Sequence, residues 1–428
     1  MSPRLPLSLA LALALASIWH RRGILSLVTL TLTLSIMLLL GIQYLRTEVR
    51  QSFTSTIAGT DLIVGARSGQ LNLLLYSVFH IGDATNNIRW SSYQQLRDDP
   101  RIDWLVPLSL GDSYRGFRVV GTDQGMPEHF RYGDDQSLAL AQGHWFDDLF
   151  DVVLGAEVAR RFQHRLGDEL VLAHGGGSTS FLRHDQTPFT VSGILAPTGT
   201  PVDRAVYISL AGLEAIHIGW ESGVPLPGRT VSADVARQRD LSPKAITAAL
   251  VGIERKVLTF QVQRQINQFQ GEPLTAILPG VALSELWRLM GQFERTLLGI
   301  TGFVVITSLI GLTAVLLTLQ VHRRQEIAIL RATGASPLLI ARLYLIECGL
   351  LAMLSCLLAV ALGAGLLAML GPWLLEHYGL QIRLRALDRM EWLILASVPL
   401  AAMTVALIPA LRGWWQGRRP QFGTASTE

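Results

Sequence analysis

The sequence predicts a membrane protein with four transmembrane α-helices and a large α+β extracytoplasmic domain inserted between helices 1 and 2. Three observations lead there. Half of the 428 residues are hydrophobic and only 16% are charged, against about 25% charged in ordinary soluble domains. Four apolar runs each reach the roughly 20 residues that span hydrocarbon. A long segment of mixed strand and helix pattern, residues 46–296, separates the first run from the second.

Residues 1–22 come first. "SLALALALAS" behind Arg4 has the look of a signal-peptide core. Trp19-His20-Arg21-Arg22 and a longer apolar run follow it, so Leu5 to His20 is expected as an elbow helix on the cytoplasmic surface. Transmembrane helix 1 is placed at 23–45, where no charge occurs. "TLTLTLS" within it alternates like a strand, but the run outlasts the roughly 9–11 residues of a barrel strand, so helix is the expectation. Helices 2, 3 and 4 are placed at 297–320, 337–370 and 392–411.

Arginine sets the orientation, since 34 of the 36 basic residues are arginine. Arg4, Arg21 and Arg22, then Arg323, Arg324, Arg331 and Arg342, then Arg412, Arg418 and Arg419 fall on one side of the spans. Arg383, Arg385 and Arg389 fall on the other, in the short 371–391 loop, offset by Glu376, Asp388 and Glu391. The positive-inside rule makes both termini, the 321–336 connector and the 412–428 tail cytoplasmic. The 46–296 segment is then extracytoplasmic, since long domains translocate largely regardless of charge. Net charge is only +3 and no basic stripe suggests nucleic acid. Cys348 and Cys356 lie eight residues apart on one helix, roughly 12 Å, too far for a disulfide.

In the outer segment, "DWLVPLSLG" and "YRGFRVVGTD" read as strands. "DVVLGAEVARRFQHRLGDELVLAHG" reads as strand, helix, a turn at Gly167-Asp168, then strand. "FTVSGILAPTGTPVDRAVYISL" reads as two strands around a Pro/Gly turn. "SPKAITAALVGIER" reads as a helix capped by Ser242 with Pro243 at its first position, followed by a strand "KVLTFQV". "HGGGSTS", His174 to Ser180, reads as a surface loop. Leu286, Met290, Phe293 and Leu297 share a helical stripe, which predicts a stalk helix continuous with transmembrane helix 2.

No catalytic constellation is present. A P-loop needs Gly-Lys-Ser/Thr, and neither Lys244 nor Lys256 lies in that setting. No G-x-S-x-G or His-Glu-x-x-His occurs. The chain is expected to be no enzyme, to hold no cofactor of its own and to carry no metal motif. Seven histidines, His80, His129, His144, His164, His174, His184 and His217, fall in the outer segment without close ligand spacing. His174 and His184 flank the glycine loop and form the pair to test first for metal. Glu347, about a turn inside span three, is costly in hydrocarbon unless it reaches the interface or pairs with an arginine. Gly299, Gly302, Thr307 and Gly311 allow close helix approach, either within the chain or across a dimer.

The connector "VHRRQEIAILRATGAS" is more than a topogenic loop. Arg323 to Ala332 has good helix formers and no breaker. Ile327 and Leu330 share a face, with Arg323, Glu326 and Arg331 alongside. Gly334 suits a helix end, and Ser336-Pro337 opens the next helix. That order of helix, stop, helix suits a segment gripped by another protein.

"RRQEIAILRATGAS" resembles the cytoplasmic coupling segment of FtsX-like ABC permeases, the group that includes MacB and the lipoprotein-releasing LolC and LolE. Pro337 and Glu347 open span three similarly, Pro409, Ala410 and Arg412 resemble the family's span-four exit, and "VVLGAEVARRFQHRLGDELVL" is similar to its outer-domain pattern. Two departures exist: no ATPase domain is fused, and the tail lacks a Pro-x-x-Ala-Leu ending. The resemblance implies a MacB-like outer domain, a homodimer or heterodimer of permeases in membrane lipid, and two copies of a separate ABC ATPase that bind ATP. Arg323, Arg324, Glu326, Ile327, Leu330, Arg331 and Gly334 would be the ATPase-coupling residues. It also implies mechanotransmission from ATPase to outer domain, with a periplasmic adaptor or substrate protein as a further partner. Three functions stay open: a permease for a lipoprotein, lipid, peptide or amphipathic drug; a transducer controlling a cell-wall hydrolase or sensor; and an anchored metal-binding domain.

Overall fold

The computed structural model describes residues 22–175, 187–220, 233–322, 332, 336–378 and 385–416. The 1–21 elbow, the glycine loop beyond Gly175 and the connector residues 323–331 and 333–335 lie outside them. The chain divides into two compact units, one made chiefly of Glu48–Gly291 and one of the apolar helices.

Among the described residues, four helices are long and apolar enough to cross a membrane: Arg22–Ser55, Pro279–His322, Pro337–Tyr378 and Arg389–Gln416. Each contributes one inward stripe to a shared apolar cluster. Leu25, Leu32, Ile36 and Leu40 come from the first and Val305, Leu309 and Leu312 from the second. Cys348, Leu351, Ala352, Cys356 and Ala359 come from the third, and Val398, Ala402 and Ala406 from the fourth. The opposite faces are just as apolar: Leu27, Leu30, Leu34 and Leu38 are exposed along the first helix. Apolar on both faces is the pattern of a helix solvated by lipid. Without a hydrophobic drive between helices, polar contacts help join them. The Ser35 and Ser308 hydroxyls lie 2.8 Å apart, and the Ser355 hydroxyl donates to the Thr29 carbonyl at 3.3 Å.

The helix ends follow the expected chemistry. Ser336 Oγ accepts from the Leu339 N–H at 3.3 Å, as an N-cap before Pro337 should. At the fourth helix, Glu391 reaches back to accept from the Asp388 N–H at 2.7 Å, one half of a capping box. Arg385 pairs with both Glu391 oxygens at 2.9 and 3.1 Å and lies over the Tyr44 ring.

The outer unit is built on an eleven-stranded sheet. Its main path runs Leu274–Ile277, Leu62–Ala66, Ala248–Ile253, Ile102–Tyr114, Phe117–Thr122, Ala205–Ser209, Asp151–Leu154, Phe189–Leu195, Leu140–Gly143. Ile102–Tyr114 pairs with Ala248–Ile253 along its first half and with Phe117–Thr122 along its second, with a register shift between Leu110 and Ser113. It therefore links the two halves of the sheet. Gly155, between Asp151–Leu154 and the helix Ala156–Phe162, packs against the backbone of Val202 and Asp203. Gly167 makes the predicted turn with φ +87°, a conformation that suits glycine.

One stretch reverses the sequence expectation. Residues 242–255 form no helix, and "KVLTFQV" forms no strand. Ala248–Ile253 is a strand buried at every position between Leu62–Ala66 and Ile102–Tyr114, and the helix is Thr259–Asn267. A strand buried on both faces reads as a continuous apolar run rather than an alternating one, so the Ser242-Pro243 cap signal misled. The Thr259–Asn267 helix closes the adjoining sheet edge with its side chains. Asn267 Oδ1 accepts from the Ala276 N–H at 2.7 Å, and Gln263 Nε2 donates to the Ala276 carbonyl at 3.0 Å.

The predicted stalk segment is helical. Pro279–His322 is one unbroken helix of 44 residues. Arg46 pairs with Glu294 on it at 2.6 Å. The third helix runs past its expected end at 370 to Tyr378.

Candidate functional site

Three places concentrate the functional residues. The first is the connector. Arg323, Arg324, Glu326, Ile327, Leu330, Arg331 and Gly334 all lie outside the described residues. What is described is its frame: the stalk helix ends at His322 and the next helix opens at Pro337.

The second is a face of the long helix. Its inward stripe is Thr301, Val305, Leu309 and Leu312. Gly299, Thr307 and Gly311 are exposed on other faces, and Gly302 is half-buried. A Cβ built on Gly299, Gly302 or Gly311 meets nothing within 4 Å. Among the described residues, nothing packs closely against these three glycines. Met290, Phe293, Leu297 and Ile300 are exposed at spacings of three, four and three, the seam periodicity of a coiled coil. Glu347 is 3% exposed and turned into the protein rather than out toward an interface.

The third place joins residues that are remote in sequence. Asp112 sits at the irregularity in Ile102–Tyr114 and is a direct cross-strand partner of His174 in the short strand Ala173–His174. A bulge re-aims side chains in this way. His217 arrives as the C-cap of the helix Leu210–Ile216, whose N-cap Ser209 accepts from the Gly212 N–H at 2.9 Å. His174 Nδ1 lies 3.1 Å from Asp112 Oδ1 and His217 Nε2 lies 3.4 Å from Asp112 Oδ2. The two ring nitrogens are 3.2 Å apart. Asp112 is fully buried, both rings are partly exposed, and the His174 ring lies beside Trp220. Burial works against a charged His217, but the hydrogen bond and charge of Asp112 outweigh it and raise the imidazole pKa.

The other outer-segment histidines each have a local setting. His164 bonds Tyr114 at 2.9 Å and Asp168 at 3.2 Å. His129 stacks on Trp104, and His144 Nδ1 donates to the Trp145 carbonyl at 2.8 Å. His80 has a left-handed backbone, φ 56°, and burial beside Arg118 lowers its pKa to about 4. His184 lies outside the described residues, so the pair singled out from the sequence is not the one described here; His217 stands beside His174 instead. Its sequence signal is weak: an aspartate, "LGD", that follows the apolar run "WLVPL" in one strand.

The comparisons with known proteins agree with this layout. Residues 25–268 match the family described as the MacB-like periplasmic core domain, and residues 298–419 match the FtsX-like permease C-terminal family. No curated protein matches. Among solved structures, the chain is similar to the periplasmic region of MacB from Actinobacillus actinomycetemcomitans. There it has 13% identity and a TM-score of 0.33, over 54% of this chain and 94% of that one. It is also similar to the extracellular domain of the noncanonic ABC-type transporter YknZ from Gram-positive bacteria. That likeness has 14% identity and a TM-score of 0.29, over 51% of this chain and 99% of that one.

Proposed function

The chain belongs to the FtsX-like permeases with a MacB-like periplasmic core domain, membrane subunits of the ABC-transporter type, and from that premise we propose that it is a mechanical coupler. ATP hydrolysis on a separate ATPase, bound in two copies to a dimer of this chain, moves the outer domain. The outer domain then exports or extracts a lipoprotein, lipid, peptide or amphipathic drug in the bacterial inner membrane.

The observation that carries this reading is the unbroken helix Pro279–His322. Its first turns belong to the outer unit and its last two described residues, Val321 and His322, open the connector. A rigid element with ends in both places transmits displacement. The membrane unit itself is closed by leucine, alanine and cysteine stripes, which favours work by the outer domain over passage between the spans. Gly299, Thr307 and Gly311 are exposed, and among the described residues a Cβ on Gly299, Gly302 or Gly311 meets nothing within 4 Å; this supports a second copy on that helix, since small residues let helix backbones approach.

The test is capture of the ATPase. In this reading Ile327 and Leu330 fill an apolar groove while Glu326 and Arg331 fix the register. Truncating an interface anchor costs about 2 kcal/mol or more. Leu330→Ala combined with Arg331→Glu should therefore cut ATPase pull-down severely, while the outer domain stays protease-resistant. Undiminished pull-down by that double variant refutes the coupling role.

A further inference from the structure

We propose that Asp112, His174 and His217 form a binding site for a divalent first-row transition cation of the zinc type, held by two imidazoles and one carboxylate. The site stands on the outer unit alone and does not depend on the transporter reading.

Spacing is the first argument. A tetrahedral cation with ligands at about 2.0–2.2 Å holds its donor atoms roughly 3.3–3.5 Å apart. Asp112 Oδ1 lies 3.1 Å from His174 Nδ1, Asp112 Oδ2 lies 3.4 Å from His217 Nε2, and the two nitrogens are 3.2 Å apart. One carboxylate oxygen and the two nitrogens all lie within 4.8 Å of one another, close enough for one cation to gather them with a small carboxylate rotation. Among the described residues, this is the one group of three or more histidine, cysteine or acidic side chains with its ligand atoms so close together.

Proton placement is the second. His217 Nδ1 lies 2.8 Å from the Leu213 carbonyl oxygen. A carbonyl only accepts, so Nδ1 carries the proton. In the neutral ring the lone pair is then on Nε2, the atom that faces Asp112 and His174. A ligating histidine that donates its other ring N–H to a backbone carbonyl is the usual supporting arrangement in metal sites.

The third argument is construction. Asp112 is fully buried at a strand irregularity, His174 is its cross-strand partner, and His217 caps a helix. Three separate elements converge on one point, and an occupying cation would tie them together. Two imidazoles with one carboxylate suit zinc, cobalt, nickel or iron, whereas magnesium and calcium take oxygen ligands. No fourth such ligand joins among the described residues. A site with three protein ligands leaves a position for water or an exchangeable ligand.

The experiment uses the full-length chain without a polyhistidine tag, stripped with a chelator. Cobalt(II) is titrated while its visible d–d absorption is followed, and zinc is counted by elemental analysis after gel filtration. One cation per chain is expected. His174→Gln and His217→Gln should each weaken binding by at least the roughly 10–100-fold that losing a supporting partner costs, whereas His164→Gln should bind as wild type. A second measurement needs no variant: zinc should shield His174 and His217, but not His164, from histidine-directed covalent labelling read by mass spectrometry. A stripped wild-type chain that keeps its outer domain protease-resistant yet takes up no metal overturns the proposal. So does uptake that is unchanged in both glutamine variants, or equal labelling of all three histidines with and without zinc.

Discussion

Gln292→Pro is the sharpest test of the stalk as a lever. Gln292 is exposed on the helix Pro279–His322, so the change removes no core contact. Proline there deletes the N–H that bonds the Arg288 carbonyl and drives its ring against that carbonyl, at about 3 kcal/mol. The outer unit has three apolar clusters of its own, and a domain stability of about 5–15 kcal/mol absorbs that loss. The mechanical effect is larger. Thirteen residues separate Gln292 from Pro279, a lever of about 20 Å at about 1.5 Å per residue. A kink of about 20° swings the far end by about 7 Å, more than a side-chain diameter. The readout is a spin-label distance between two copies of Asp134→Cys, an exposed site, in lipid nanodiscs with the ATPase bound. Native Cys348 and Cys356 are buried and should stay unlabelled. Wild type and Gln292→Ala should change this distance on ATP addition. Gln292→Pro should keep ATPase binding and lose most of the change. An ATP-driven change as large as wild type in the proline variant would sink the lever.

Two further outcomes concern the outer unit. The His80 imidazole is held neutral with a pKa of about 4, and its buried Nδ1 has no hydrogen-bond partner among the described residues. Its folded pKa is below the unfolded value of about 6.5. The contribution is therefore present above about pH 6.5 and is lost as pH falls toward about 4, by about 3 kcal/mol. His80→Asn, which tolerates the left-handed backbone, should flatten that part of the loss; thermal melts by tryptophan fluorescence at about pH 7 and about pH 4.5 should show it, and an unchanged pH difference would contradict it. Gly155→Ala places a Cβ on the backbone of Asp203 and 2.6 Å from the Val202 oxygen, and backbone has no rotamer to yield. Overpacking of this kind costs about 1–3 kcal/mol, so a melt as stable as wild type would show that the loop shifts freely.

The membrane part was legible because length and hydropathy decide it: the apolar runs 23–45, 297–320, 337–370 and 392–411 lie inside the helices Arg22–Ser55, Pro279–His322, Pro337–Tyr378 and Arg389–Gln416. Strands were legible where turn residues bound them, as at Arg115-Gly116 between Ile102–Tyr114 and Phe117–Thr122. The 242–267 stretch was not, because "AALVGI" is apolar on both faces and burial between two strands, a long-range fact, overrode a local cap signal. The metal-type cluster was hidden for the same reason. Asp112, His174 and His217 meet through strand pairing and a helix end, and no short window of sequence contains two of them.

The amides of Gln263 and Asn267 have a consequence for how this protein meets other chains. An open sheet edge is a template on which a foreign strand can add, the first step toward fibrils and unwanted oligomers. At Leu274–Ile277 the outward N–H and C=O of Ala276 are already taken by those two side chains. A stray strand would have to displace a helix before it could pair there. In a crowded envelope, where partly folded polypeptides pass constantly, this border of the sheet is shut by chemistry as well as by coverage.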